Sequence, residues 1–158
     1  MIYTIGYSNR PLEEFAEQLG SRCISGIIDV RSSPRSRNPS FNGSRLAQWC
    51  VGKGINYAHE GHVLGGRSQT DPRSSCYNAA IQRLICASRR SNVAILCAEG
   101  EPEKCHRCYD IGATLILRYD IEATNIRRDN SDEKMSVSLR LVPAGLYNPL
   151  IVAPGTRW

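Results

Sequence analysis

Apolar and polar positions along the chain alternate between two periods, and the pattern predicts short buried strands separated by amphipathic helices. Ile2-Tyr3-Thr4-Ile5-Gly6 is an apolar run that ends at a glycine, which predicts a buried strand. Leu12, Phe15, Ala16 and Leu19 recur at helical spacing. Asn9 is the expected cap of that helix, Pro11 its first position, Glu13 and Glu14 its acidic first turn, and Gly20 its stop. A second buried strand is expected over residues 24–30, with Asp29 near its end, so the chain opens as a β-α-β unit with parallel strands and a right-handed crossover. A polar loop follows over residues 31–43. A helix then carries Leu46, Trp49, Cys50 and Val51 from near Ser44 to Gly52 or Gly54. Further along, the pattern predicts a short strand over 55–58, a long surface loop over 60–73 and a helix over 75–88. A strong strand over 93–97, a helix over 101–119 and a strand over 121–126 come next. Residues 127–134 read as a charged break, and 136–142 and 147–152 as strands or an edge wrapping.

Strand and helix thus alternate without repeats or low-complexity tracts. This implies an α/β fold, a three-layer Rossmann-like sandwich with a mostly parallel sheet. At 158 residues, 41% of them apolar, the chain suits one domain over 1–158. It has no apolar run of about 18 residues, and its first residues lack a basic segment followed by a long apolar one. No membrane partner is therefore expected, and a cytoplasmic location is.

Charge sharpens this picture. The formal net charge is +5, and of the 20 cationic side chains 17 are arginine. Arg10, Arg31, Arg35, Arg37 and Arg45 crowd the first third of the chain. Arginine binds phosphate and carboxylate through a planar fork, so the balance points to an anionic partner, a phosphorylated small molecule or a nucleic acid. A solvated arginine-rich surface is the plainer alternative. Seven cysteines, an odd number without regular spacing, do not form a secreted disulfide framework. Cys23, Cys50, Cys76 and Cys86 lie in apolar stretches and are expected in the core. Cys97, Cys105 and Cys108 belong to a denser cluster.

Ligands of open α/β sheets bind beyond the C-terminal strand ends. The first strand delivers Tyr7, Ser8 and Asn9 to that edge, and the second delivers Asp29, Arg31, Ser32 and Ser33, with Arg35 and Arg37 close behind. The strand over 93–97 brings Cys97 and Glu99, followed by Cys105, His106 and Arg107. Polar residues at strand ends are ordinary, but a Cys, a Glu, a Cys, a His and an Arg within eleven residues are not.

The same residues carry a resemblance. Thr4-Ile5-Gly6-Tyr7-Ser8, Asp29-Val30-Arg31, Pro34-Arg35-Ser36, Phe41-Asn42, Leu64-Gly65-Gly66 and Cys97-x-Glu99…Cys105-His106-Arg107 resemble the ordered motifs of the domain of unknown function 488 family. The resemblance spans about residues 2–126, with 127–158 as an extension beyond it. It implies an α/β fold and leaves the activity open. Cys108 is not expected of every member.

Three chemistries fit the rim. In the first, an enzyme acts on a nucleotide, nucleoside or nucleic-acid base. Arg31, Arg35, Arg37 and Arg107 hold phosphate, the first turns of a helix assist, and Tyr7 and Tyr57 stack on a base. Glu99 then serves as the carboxylate of glycosidic-bond cleavage or transfer, with Asp29 assisting. A plain Asp29–Arg31 ion pair is the competing reading. In the second, Cys105, with His106 beside it, is a nucleophile in sulfur transfer or cycles with Cys108 as a dithiol. In the third, Cys97, Cys105, His106 and Cys108 hold structural zinc, which His59 or His62 could join. Adjacent residues diverge by about 100° on a helix, which argues against that set, and no cofactor is expected. A non-catalytic module gripping nucleic acid through phosphates is the remaining alternative. The nucleotide-directed enzyme, with Glu99 as its chemical carboxylate, is the leading expectation.

Overall fold

A computed structural model describes residues 1–68 and 70–152 of the chain. Six strands form one sheet: β1 (Ile2–Gly6), β2 (Ile24–Asp29), β3 (Asn56–His59), β4 (Asn92–Cys97), β5 (Thr124–Ile126) and β6 (Asp132–Lys134). Their spatial order is β3-β2-β4-β1-β5-β6, parallel throughout except for antiparallel β6. The register pairs Gly6 with Cys97 and Asp29 with Leu96, so β1, β2 and β4 end at nearly one level.

Helices cover both faces, which explains why the central strands are apolar without alternation. Ile2, Ile28, Val93 and Ile95 pack with α4 (Ser75–Arg90), α5 (Ala113–Tyr119) and α6 (Met135–Arg140). Tyr3, Ile5, Ile27, Ala94 and Leu96 pack with α1 (Leu12–Gly20) and α2 (Gly43–Gly52). The expected three-layer α/β sandwich is present. No helix among the described residues is long and apolar enough to cross a membrane.

Several local expectations are corrected. Pro11, not Asn9, occupies the cap position of α1 and makes no side-chain cap bond. Gly20 closes the helix, but it is Cys23, at φ 50°, that turns the chain toward β2. Part of the 60–73 loop is a short helix, α3 (Gly61–Leu64). The predicted 101–119 helix is a 3-10 turn (Pro102–Lys104), an extended Cys105, a π-helical segment (Arg107–Gly112) and then α5. The last parallel strand covers only Thr124–Ile126, and the charged break holds β6. Of the segments expected as final strands, 136–142 lies mostly in α6 and 147–152 holds only turns and bends, after a 3-10 turn at Ala144–Leu146, and residues 153–158 lie outside the described residues. Only Cys50 of the four expected core cysteines is buried, while Cys23, Cys76 and Cys86 are exposed. Apolar neighbours in sequence do not bury a residue that helical phase turns outward.

Candidate active site

β2 and β4 are neighbours, yet the chain leaving β2 runs to β3 at one side and the chain leaving β4 runs to β5 at the other. Diverging connections open a crevice at the C-terminal strand ends. A cleft of about 590 Å³ lies there, within the usual range for small-molecule sites. Arg31, Ser32, Ser33 and Arg35 line it from the β2 side, and Gly66 and Arg67 from the loop after α3. Cys97, Ala98, Glu99, Lys104, Cys105, His106 and Tyr109 line it from the β4 side.

Two glycines permit this convergence. A Cβ on Gly6 would fall 1.7 Å from the Glu99 carbonyl oxygen, so the backbone after β4 rests directly on the end of β1. One on Gly65 would meet Gly61 O at 2.3 Å and Ser32 Oγ at 2.4 Å, where only glycine fits.

The floor is formed by Cys97, Cys105 and His106, all buried. Cys97 ends β4 and its Sγ lies 3.3 Å from His106 Nε2. The two sulfurs and a ring nitrogen lie within 4.8 Å of one another. Burial raises the Cys105 pKa, but the Cys97 thiol hydrogen bond, the Arg107 charge, the His106 charge and the Arg107 backbone N–H outweigh it. The net shift is downward. Cys97 moves up, through its hydrogen bond to Cys105 and through burial. Burial lowers the His106 pKa, with the Cys105 charge opposing, and the buried Nδ1 has no hydrogen-bond partner among the described residues. Cys108 stands apart: fully buried in the core, it is pushed up to about 12 by burial and lines no part of the cleft. The structure therefore does not bring Cys105 and Cys108 together in the cleft as a dithiol or as two ligands of one ion.

Other expected site residues serve the scaffold. Asp29 is fully buried and receives Arg31 Nε at 2.8 Å on Oδ1, Arg31 Nη2 at 2.5 Å on Oδ2, and the Tyr57 hydroxyl at 2.6 Å. Arg31 also donates to the Phe41 carbonyl at 2.7 Å, so one edge of a saturated ion pair is all it presents to the cleft. Tyr7 stacks on Phe41 with ring centroids 4.4 Å apart and lies under the Arg31 guanidinium. Neither Tyr7 nor Tyr57 lines the cleft. Arg107, 1% exposed, donates to the carbonyls of Glu99 at 2.5 Å and Gly100 at 2.9 Å and to Thr4 Oγ1 at 3.2 Å. Its guanidinium ties down the chain after β4, and its charge acts on Cys97, Cys105 and His106 at the cleft floor.

Ser8, Asn9 and Arg37 are exposed outside the cleft, and Arg10 is buried against Gly6 O, Glu14 and Gln18. His59 bonds Arg31 O at 2.8 Å, and neither it nor His62 reaches the floor. Glu99 is exposed at the cleft wall, with Oε1 accepting the Glu101 N–H at 3.1 Å. Arg35, Arg67 and Lys104 are exposed along the cleft, and among the described residues none of them takes a carboxylate partner. Arg67, Lys104 and Tyr109 went unread in the sequence. The signals were Arg67 directly after Gly65-Gly66 and Lys104 directly before Cys105.

With Arg31 of Asp29-Val30-Arg31 at one wall of the cleft and Gly66 of Leu64-Gly65-Gly66 at another, the motifs can be set against known families. Residues 11–78 match the family model described as domain of unknown function DUF488. The match bears out the resemblance over 68 of the 158 residues. Within the matched segment lie the Asp29–Arg31 pair, Arg35 and the loop bearing Arg67, while the Cys97–Cys105–His106 floor comes from outside it. A search of curated proteins and of solved structures found no match.

Proposed function

We propose that the protein is an enzyme of hydrolysis or group transfer acting on a phosphorylated, nucleotide-like substrate. The observation that carries this reading is a cleft in which Arg35, Arg67 and Lys104 lack carboxylate partners among the described residues and stand over a buried Cys-Cys-His floor. Cations without partners are free to take a phosphate through charge-assisted hydrogen bonds. The volume of about 590 Å³ suits a nucleotide-sized ligand, and Tyr109 supplies an aromatic surface at the wall. Backbone binding of nucleic acid alone has no use for a thiol and imidazole floor. Glu99, exposed at the cleft wall, is the proton-handling carboxylate of the proposal.

The test is calorimetric titration with nucleoside mono- and diphosphates, followed by a turnover screen of those that bind. Arg35→Ala/Arg67→Ala is expected to weaken binding about tenfold or more. Glu99→Gln is expected to retain affinity and lose most turnover. Binding unaffected by the double substitution would sink the assignment of the cleft, and binding without turnover of any candidate would favour a non-catalytic module.

A further inference from the structure

We infer that Cys97 Sγ, Cys105 Sγ and His106 Nε2 form a three-ligand site for Zn²⁺, with the fourth coordination position facing the cleft. This deepens the proposed activity and rests on the cleft being its site. Two thiolates and an imidazole are a donor set that selects zinc over magnesium or calcium. Tetrahedral zinc with ordinary bond lengths separates a sulfur and a nitrogen ligand by about 3.5 Å. The Cys97 Sγ to His106 Nε2 separation is 3.3 Å, and all three donors lie within 4.8 Å of one another. Small side-chain adjustments are enough to place the ion.

The geometry removes the objection that neighbouring residues diverge. Cys105 is extended, at φ −122° and ψ 138°, and only His106 enters helical conformation, at φ −56° and ψ −23°. The two side chains can therefore converge, as residues within one helix cannot. The frame is also rigid. Cys97 ends a central strand, and Gly66 packs so closely on the His106 ring that a Cβ there would lie 3.0 Å from it.

The site is open rather than closed. Cys108 lies in the core, and no other His, Cys, Asp or Glu among the described residues joins the three donors. Cys97, Cys105 and His106 all line the cleft, so the remaining position falls to water or to a substrate oxygen, as in catalytic rather than structural zinc sites. Charge balance agrees. Two thiolates neutralise the ion, and the buried Arg107 leaves a net positive floor for an anionic substrate. Both cysteines bind as thiolates, so loading the ion releases their thiol protons to solvent. A water on the ion becomes a hydroxide source at neutral pH, with Glu99 at the wall to receive its proton.

The experiment is metal analysis of the full chain after reconstitution with Zn²⁺ under reducing conditions, with Co²⁺ substitution in parallel. One zinc per chain is expected, lost in Cys97→Ser and in Cys105→Ser and kept in Cys86→Ser. The cobalt form is expected to show thiolate charge-transfer bands and intense four-coordinate d–d bands. The wild-type cobalt spectrum stands even if a cysteine variant fails to fold. Substoichiometric zinc in the reconstituted wild type, full zinc in Cys97→Ser, or a cobalt spectrum without thiolate bands would each overturn the site. Nucleotide titrations on the same preparations separate the two ideas. Metal without nucleotide binding overturns the proposed activity alone, and nucleotide binding without metal overturns the zinc site alone.

Discussion

Asp29 and Arg31 show how one residue's neighbours decide its role. Their side chains are saturated by each other, Tyr57 and the Phe41 carbonyl, in a setting almost without solvent. Removing one partner of such a pair leaves an uncompensated charge, so Asp29→Asn is expected to cost about 3–5 kcal/mol in chemical denaturation. A loss of turnover with unchanged stability would instead return Asp29 to the chemistry. Asp110 carries the clearest pH dependence. Burial raises its pKa to about 6, against a hydrogen bond from Asn148 that lowers it and the Cys105 charge that raises it. Between its ordinary value near 4 and 6, the folded protein binds the proton that the unfolded chain has released, so stability contributed by the neutral form is lost as pH rises through that window. Asp110→Asn is expected to flatten this slope and add up to about 2 kcal/mol at pH 7.5. Equal stability gains at pH 4 and pH 7.5 would refute the assignment. The Asp29–Arg31 pair was a reading the sequence offered, but the Tyr57 hydroxyl that completes it and the Asn148 contact of Asp110 were not legible, because those partners are remote along the chain.

At the scale of elements, the five parallel strands are legible in the sequence, while antiparallel β6, the final segments and the stretch between β4 and β5 are not. Strands buried on both faces announce themselves as apolar runs, whereas 101–119 shows apolar spacing at Ile111, Leu115 and Ile116 that hides a break at Cys105. That break creates the floor. A continuous helix would have separated Cys105 from His106 and aligned Cys105 with Cys108 and Tyr109 instead. The π-helical turn that follows is a conformation often found at functional sites. The end of β1 supplies a second test. Gly6→Ala must displace the Glu99 backbone, so a loss of about 1–3 kcal/mol is expected together with weakened nucleotide binding. Full stability and affinity in that variant would show that the chain after β4 does not need its present seat.

Across the whole molecule, the C-terminal extension buttresses the site. Arg127 bonds Glu101 at 3.2 Å, Glu103 at 2.8 Å and Glu133 at 2.6 Å, tying β6 to the turn that precedes Cys105. From Glu133 a polar chain runs through Ser138, Asn125 and Thr4 to Arg107. Arg127→Ala is expected to lower Tm and to speed alkylation of Cys105 a few-fold by loosening that turn. An unchanged alkylation rate would separate the extension from the floor. By itself the sequence determined the layered α/β architecture, the edge where a site is expected and the residue types gathered there. Apolar period and the alternation of strand and helix follow from local pattern, whereas the strand order is set by tertiary packing. Only the tertiary structure decided which of those side chains face the cleft. Arg31 and Arg107 turn inward because Asp29 and backbone carbonyls neutralise or accept from them, while Arg35, Arg67 and Lys104 have no such partners among the described residues and remain turned to solvent. Arginines so alike in sequence are told apart by partners that are remote along the chain as often as near.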